Sequence, residues 1–501
     1  MKTQLVKSLA YFLAAALAAA PQSISPTAEQ SRALASISVA SLRGNLSFIA
    51  SDLLEGRDTP SRGLDIAALY IAAQFRRAGL EPAGGDGYFQ TAEMLRIAQA
   101  AEGFDLRLQR GARTLAVSRD RTTVISRRPL QLSGAPIYKI ANQGDLQAAA
   151  LKGRVVEVDG AHDRAGALAR AAALLQPAAF LEAANEDSGP AVPRLIDPDE
   201  EPTLSGGVPR LIVRDPEAVK LLAGAKAGET GVTVSIKLPA PTATPVTLRN
   251  VAALLRGSDP ALRRQYILLT AHYDHIGCDS GGEVFPGAND DGSGTVSVIE
   301  IAQALAGLPL HPRRSIVFLT FFGEEEGELG SRYYTRHPLF PLAQTVADLN
   351  LEQVGRTDSR GGPEISNATL TGFQYSTVPR TLQQAGELTG VKVYETANGD
   401  DFFDRSDNQA FAEHGIPAHT LAVAFEFPDY HGTGDVWQKI DYANMAKVDR
   451  MVALGIVMLA DSVEPPRWNR ENPKVGRYLE EKKRVLEDPA QRAPRPGGLP
   501  H

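Results

Sequence analysis

"QYILLTAHYDHIGCDSGGEVFPGANDDGSG", residues 265–294, begins as a strand and ends at the mouth of a helix. Its opening "QYILLTA" is a continuous apolar run, the pattern of a strand covered on both faces. A second such run, "RSIVFLTFF", starts at Arg314. Between the two, "SGTVSVIEIAQALAGL" has helical spacing, with Val298, Ile301, Ala302 and Leu305 on one face. Strand–helix–strand alternation predicts an α/β fold: a mainly parallel, mixed sheet with helices on both faces. In such sheets ligands bind beyond the carboxyl ends of the strands. His272 and Asp274 directly follow the first strand, Glu324 and Glu325 the second, and Glu352, in "NLEQVG", a third short apolar one.

Acids and imidazoles at this density are costly to order unless something binds them. Asp290, in "GANDDGSG", sits where a helix begins, and His431 lies among acids and glycines in "PDYHGTGD". Read alone, "EEE" at 324–326 is a solvated helix start whose acids complement the dipole. Joined to His272, Asp290 and His431 it reads as an N/O ligand set for a divalent metal such as zinc. The other histidines are assigned more ordinary roles. His162, His311, His337 and His501 lie in loop or tail contexts and are expected to be solvated, while His419, in "PAHTLAV", is expected to be a satisfied core residue. Cys278, the single cysteine, excludes an intrachain disulfide and is expected to be a small buried hydrophobe, with a ligand role as the alternative. "NDDGSGTVSVIE" mimics a calcium loop, but Asn289 replaces the leading Asp and the helical pattern runs through it. No HExxH helix, P-loop, dinucleotide fingerprint or GxSxG elbow occurs.

The bulk properties bound the rest. A chain of 501 residues, 43% hydrophobic and 22% charged, has material for two or three packed domains. Fifty-two basic residues against 59 acidic ones leave a net charge of −7, with no block of five basic residues, which argues against a nucleic-acid partner. Lys2, Lys7 and the short apolar "SLAYFLAAALAAA" mark residues 1–20 as a signal peptide, too short for a span of about 20 apolar residues. The expected protein is therefore exported, periplasmic or secreted, touching a membrane only through that segment if it stays uncut. Leu64, Ala68, Ile71 and Phe75 predict a helix that Gly79 stops. Residues 133–242 differ in character: "GRVVEVDG" and "VPRLIVRD" read as strands flanking an alanine-rich helix, followed by the linker-like "LPAPTATPVT". The division expected is 25–132 as the N-terminal part of the main domain, 133–242 as an inserted α/β domain, 247–465 as the main domain proper and 466–501 as a tail. In that tail "VGRYLEEKKRVLED" is expected to be a solvated helix.

"AHYDHIG", "PGANDDGSG", "FFGEEEGELGS", "NLEQVG", "FDRSDNQAFAEHGIPA" and "PDYHGTGDVWQKID" occur in the order of the co-catalytic di-zinc exopeptidases, which the chain resembles. That family includes bacterial leucyl-type aminopeptidases, glutamate carboxypeptidase and the transferrin receptor ectodomain. The resemblance covers about residues 45–90, where "ASDLLEGRDTPSRG" looks like the family's N-terminal segment, and about 247–462. Residues 133–242 look like a protease-associated insertion. The resemblance implies a zinc aminopeptidase or other exopeptidase acting on peptide or protein substrates with two Zn2+ per chain. By motif position His272 and Glu352 would bind one metal, Glu325 and His431 the other, and Asp290 would bridge them. Glu324 would be the general base, Asp274 would orient His272, and Tyr430 would sit near the developing oxyanion. His275 and Asp291 have no ligand role in this pattern and are expected to be structural. Glu352 stands where Asp is usual, one methylene longer, and Glu328 stands where Leu is frequent, expected to be a surface change. The alternatives are a catalytically inactive, transferrin-receptor-like binding protein and a single-zinc glutaminyl cyclase.

Overall fold

A computed structural model describes residues 25–158, 167–184, 194–199 and 207–489. The signal segment, His162, His501, most of the acidic loop at 185–206 and the end of the tail fall outside them. Among the described residues no helix is long and apolar enough to cross a membrane.

The elements that carry the site are helix α1 (Arg62–Arg77), strands β1 (Phe89–Ala98), β2 (Thr242–Leu255) and β3 (Tyr266–His272), helix α2 (Gly294–Ala306), strand β4 (Ser315–Phe321), helix α3 (Leu329–Arg336), strands β5 (Thr345–Leu351) and β6 (Ala418–Ala422), and helix α4 (Tyr442–Asp461). They belong to a ten-stranded sheet in which β6, β5, β3 and β4 lie side by side, all parallel. Beyond β4 the sheet turns antiparallel: β2 pairs with β4 from Val251↔Thr320 to Leu255↔Ile316, and β1 pairs with β2. The sheet is thus mixed rather than mainly parallel. Parallel neighbours need a crossover such as α2, and β1 and β2 enter from outside that strand–helix repeat.

Alternation along the strands supplies two cores. Ile267, Leu269 and Ala271 join one face, with Ile316 and Phe318, while Leu268 joins the other, with Val317, Leu319 and Phe321. The first face is covered by α1, α2 and α4 through residues such as Ile71, Val298 and Met451. The second is covered by α3, by Phe411 of the helix Asn408–Ala412, and by Tyr478. Each large apolar side chain so buried contributes about 1.5–3 kcal/mol.

Several expectations change on packing. Helix α2 is buried nearly all round, Val296, Ile299 and Glu300 included, because the sheet and α4 enclose it from opposite sides. The tail helix Gly476–Glu487 is not purely solvated: Tyr478 stacks on Trp468 at 4.9 Å, so its apolar edge is a lid on the second core. Glu328 is buried rather than superficial, 3.2 Å from Arg332. Cys278 is exposed, because its loop forms a bridge to Val284 at the surface. His419 is the satisfied core residue expected, with Nδ1 2.8 Å from the Thr371 carbonyl and Nε2 2.5 Å from the Ser376 hydroxyl.

A second, eight-stranded sheet is built from residues between Asp105 and Leu238. Its strands Asp105–Arg110, Arg113–Ala116 and Thr122–Ile125 precede residue 133, so the sheet begins earlier in the chain than the composition change suggests. Arg194–Ile196, from within 133–242, pairs instead with β1 of the first sheet.

One buried acid in this fold has a measurable signature. Asp449 of α4 is wholly buried beside Glu300, and burial pushes its carboxyl up to about 8. The folded chain keeps that proton up to about pH 8, whereas an unfolded Asp releases it near pH 3.9, so stability falls as pH rises across this window. Asp449→Asn is expected to raise the melting temperature at pH 8, with the gain shrinking towards pH 4. A difference that does not vary with pH, measured by thermal unfolding, would remove this assignment.

Candidate metal centre

The three central parallel strands end at one place, and their ends carry the acids and the first imidazole. His272 is the last residue of β3, Glu352 follows β5 directly, and Glu324 and Glu325 lie just beyond β4. The turn 288–293 leads Asp290 into the same space, ahead of α2. Gly287 permits that turn. It adopts φ +56°, and a Cβ there would lie 2.4 Å from both the Asp290 carbonyl and the His275 ring. The turn is held from three directions. Asp435 accepts the backbone N–H groups of Asn289 at 2.9 Å and Asp290 at 3.1 Å. Asn289 Oδ1 accepts from Gly355 at 2.8 Å and Arg356 at 2.9 Å, and Asp291 Oδ1 from Gly294 at 2.9 Å and Gln353 at 3.1 Å. Asp291 thus braces the turn through its Oδ1.

Asp290 divides its two oxygens. Oδ1 lies 3.4 Å from His272 Nε2, and Oδ2 lies 3.2 Å from His431 Nε2. His431 Nε2 is also 3.3 Å from Glu325 Oε2. Two clusters of metal-ligating atoms result, each with its atoms within 4.8 Å of one another: His272, Asp290 and Glu352, and His275, Asp290 and Glu325. His275, given no ligand role by the motif, is buried with Nδ1 2.8 Å from Glu325 Oε1. Glu325 is thus gripped on Oε1 by His275 and presents Oε2 towards His431. Asp274 lies behind His272, Oδ1 to Nδ1 at 3.5 Å, and the same oxygen accepts the Glu324 N–H at 3.1 Å. Glu324 Oε2 is 3.9 Å from His272 Nε2. Tyr430 stacks on His431, rings 4.0 Å apart, on the half-open side of the site.

The electrostatics of the cluster call for positive charge. Hydrogen bonds to Asp290 and Glu325 push the His431 imidazole up to about 10. Burial opposes charging His272, yet Asp274 and Asp290 raise its pKa well above the usual histidine range. Burial pushes Glu352 up to about 7 and Glu324 well above the usual carboxylate range, since four carboxylates share one dry space. Both ring nitrogens of His272 and the Oε2 of Glu352 are buried without a hydrogen bond. Orphaned imidazole and carboxylate atoms converging on shared points are the donor set of a divalent cation, and the residues present fit one.

Arg57 escaped the sequence reading. Its guanidinium is fully buried and donates to four backbone carbonyls: Tyr273 at 2.8 Å, Ile49 and Pro286 at 2.7 Å each, and Gly287 at 2.9 Å. It ties the loop after β3 to the turn that carries Asp290. Asp435, within the motif "PDYHGTGDVWQKID", is a second such brace, its carboxylate buried beneath the turn.

Residues 250–456 match the model of Peptidase family M28, in keeping with the resemblance read from the motifs. A probable zinc metalloprotease of Leptosphaeria maculans is 28% identical over 261 residues, 44% of this chain and 60% of the relative. Aminopeptidase YwaD of Bacillus subtilis is 27% identical over 215 residues, 42% of this chain and 44% of the relative. The matched region thus spans about half the length of these relatives. Among solved structures, an aminopeptidase from Aneurinibacillus sp. strain AM-1 superposes with a TM-score of 0.56 at 19% identity, covering 88% of this chain and all of that one. A zinc aminopeptidase from Bacillus subtilis gives 0.50 at 20% identity, covering 89% and 98%. Both are likenesses of fold.

Proposed function

We propose that this chain, with its M28 peptidase region at 250–456, is an exported zinc exopeptidase that removes residues from the amino end of peptides. The observation that carries the reading is the split of Asp290, one oxygen towards His272 and the other towards His431. His272, Glu352 and Asp290 would hold one zinc ion, and Glu325, His431 and Asp290 the second. When bound, the metals would supply a water acidic enough to ionise near neutral pH and polarise the scissile carbonyl.

Residues of the chain do the remaining work. Glu324 takes the attacking water's proton on its carboxylate and passes it to the amine nitrogen as the C–N bond breaks. Its backbone N–H bond to Asp274 ties the position of the base to the residue that orients His272. His275 sets the rotamer of Glu325 by occupying Oε1. The Tyr430 hydroxyl would donate to the oxyanion from the open side, its ring steadied against His431. Glu352 Oε1 accepts from Gln353 at 3.3 Å, which leaves Oε2 for the metal. The second sheet is assigned as the protease-associated insertion, on the strength of its sequence character alone. Export rests on the first 20 residues.

Metal analysis and hydrolysis together test the reading. Full-length protein is expected to bind two zinc ions per chain, to release aminoacyl groups from chromogenic amides, and to lose activity on chelation. Asp290→Asn is expected to lose most of the metal at both positions, since the bridging oxygens serve both. Hydrolysis that survives chelation, or a chain that binds no zinc, would overturn it.

A further inference from the structure

Beyond Glu352 the centre opens into a cavity of about 600 Å3, its mouth included. One wall is apolar: Phe402 and Phe425 are stacked with ring centroids 4.9 Å apart and planes 5° from parallel. Two guanidinium groups complete the lining, those of Arg360 and Arg405, with Glu426 and Tyr430 beside them. Arg405 lies over the Phe402 ring at 5.0 Å and directly precedes Ser406, which touches Glu352. Arg360 sits on a hairpin pinned by its own backbone N–H to the Glu426 carbonyl at 2.8 Å. Of the neighbouring acids, Asp358 and Asp429 pair with Arg356 and Asp400 pairs with Lys474, while Asp401 and Asp404 are exposed and lie outside the cavity lining. Among the described residues neither Arg360 nor Arg405 forms an ion pair.

We infer that Arg360 and Arg405 are specificity-determining residues, and that the substrate carries a carboxylate which they receive in this cavity. The inference rests on the peptidase reading and names its substrate class. A carboxylate accepts only, and the planar fork of a guanidinium matches its two oxygens. Two such forks against a single Glu426 leave the cavity net positive once Glu352 is engaged with metal. The stacked phenyl pair removes water from one side, which strengthens any charge pairing there. One carboxylate chemistry has two sources: an acidic side chain on the terminal residue, or the free C-terminus of a di- or tripeptide.

Two matched substrate pairs decide it with zinc-loaded, full-length protein. Glutamyl and glutaminyl p-nitroanilides differ in side-chain charge; Leu-Gly and Leu-Gly amide differ in the terminal carboxylate. The charged member of one pair is expected to be preferred in kcat/KM by about tenfold or more, and the pair in which this occurs identifies the source. In the Arg360→Gln/Arg405→Gln double variant the preference should collapse through KM, the charged member falling to the level of the neutral one. Equal rates within each pair in the unmodified chain, or a double variant that slows charged and neutral substrates alike, would overturn the inference while leaving the peptidase reading intact. Calorimetric titration of the zinc-loaded Glu324→Gln chain with the same Leu-Gly pair and with Glu-Gly against Gln-Gly gives a separate readout. Should no substrate be hydrolysed, the peptidase reading fails, and preferential binding of the charged peptides, or its absence, still decides the role of the two arginines.

Discussion

Glu324→Gln is expected to lower kcat by about a hundredfold to ten-thousandfold while both zinc ions stay bound. The carboxylate is assigned the only proton transfer that this chain's residues perform, and glutamine keeps its shape without its basicity. The distances favour the proposed division of base and ligand. Glu324 approaches His272 at 3.9 Å, whereas the Asp290 oxygens lie nearer the imidazoles, at 3.4 and 3.2 Å. Burial in the company of Glu352 and Glu325 raises its affinity for a proton, which suits a group that must accept one and give it up again. Steady-state kinetics beside metal analysis of the same sample make the check. Near-normal turnover in the variant would sink the assignment of the base, and loss of zinc together with turnover would make Glu324 a ligand instead.

The second large effect concerns a residue that touches no metal. Arg57→Met is expected to cost about 3–5 kcal/mol of stability, because it removes a buried charge and strands several carbonyls without a donor. Asp274, Asp290, Asp291 and Asp435 all act on that guanidinium, whose pKa burial lowers to about 10, so its loss also leaves their negative charge less compensated. Zinc affinity should fall with stability, since three of the four carbonyls, those of Tyr273, Pro286 and Gly287, belong to the segments that aim His272 and Asp290. Arg57→Lys should recover only part of the loss: one ammonium has three protons for four acceptors, and no planar fork. Thermal unfolding with and without zinc reads both effects. A Met variant that melts where the parent does, at full zinc occupancy, would show that the turn needs no such brace.

How far the site could be read in advance varied with distance along the chain. Glu352 and the Glu324–Glu325 pair were legible because each adjoins an apolar run, and the residue after a buried parallel strand emerges at the ligand-binding edge. His431 was legible only through its motif, since no strong periodicity surrounds it. Arg57 was not legible. It lies in a short irregular turn at φ +52°, more than two hundred residues before the carbonyls it binds at Tyr273, Pro286 and Gly287. Backbone acceptors leave no mark in side-chain identity. His275 was set aside because the motif gives it no duty, and its approach to Glu325 depends on a loop conformation that Gly287 and Arg57 impose.

By itself the sequence determined which residue types gather at the strand ends and that the sheet would be packed on both faces. Period and composition record burial locally, one element at a time. The tertiary structure alone decided which oxygen of Asp290 faces which imidazole, which arginine is buried as a brace and which two stand open in the cavity. It also decided that β2 runs against the parallel strands and β1 against β2. Those outcomes depend on register and on contacts between segments hundreds of residues apart, where the free energy belongs to the assembled pair and is written in neither segment.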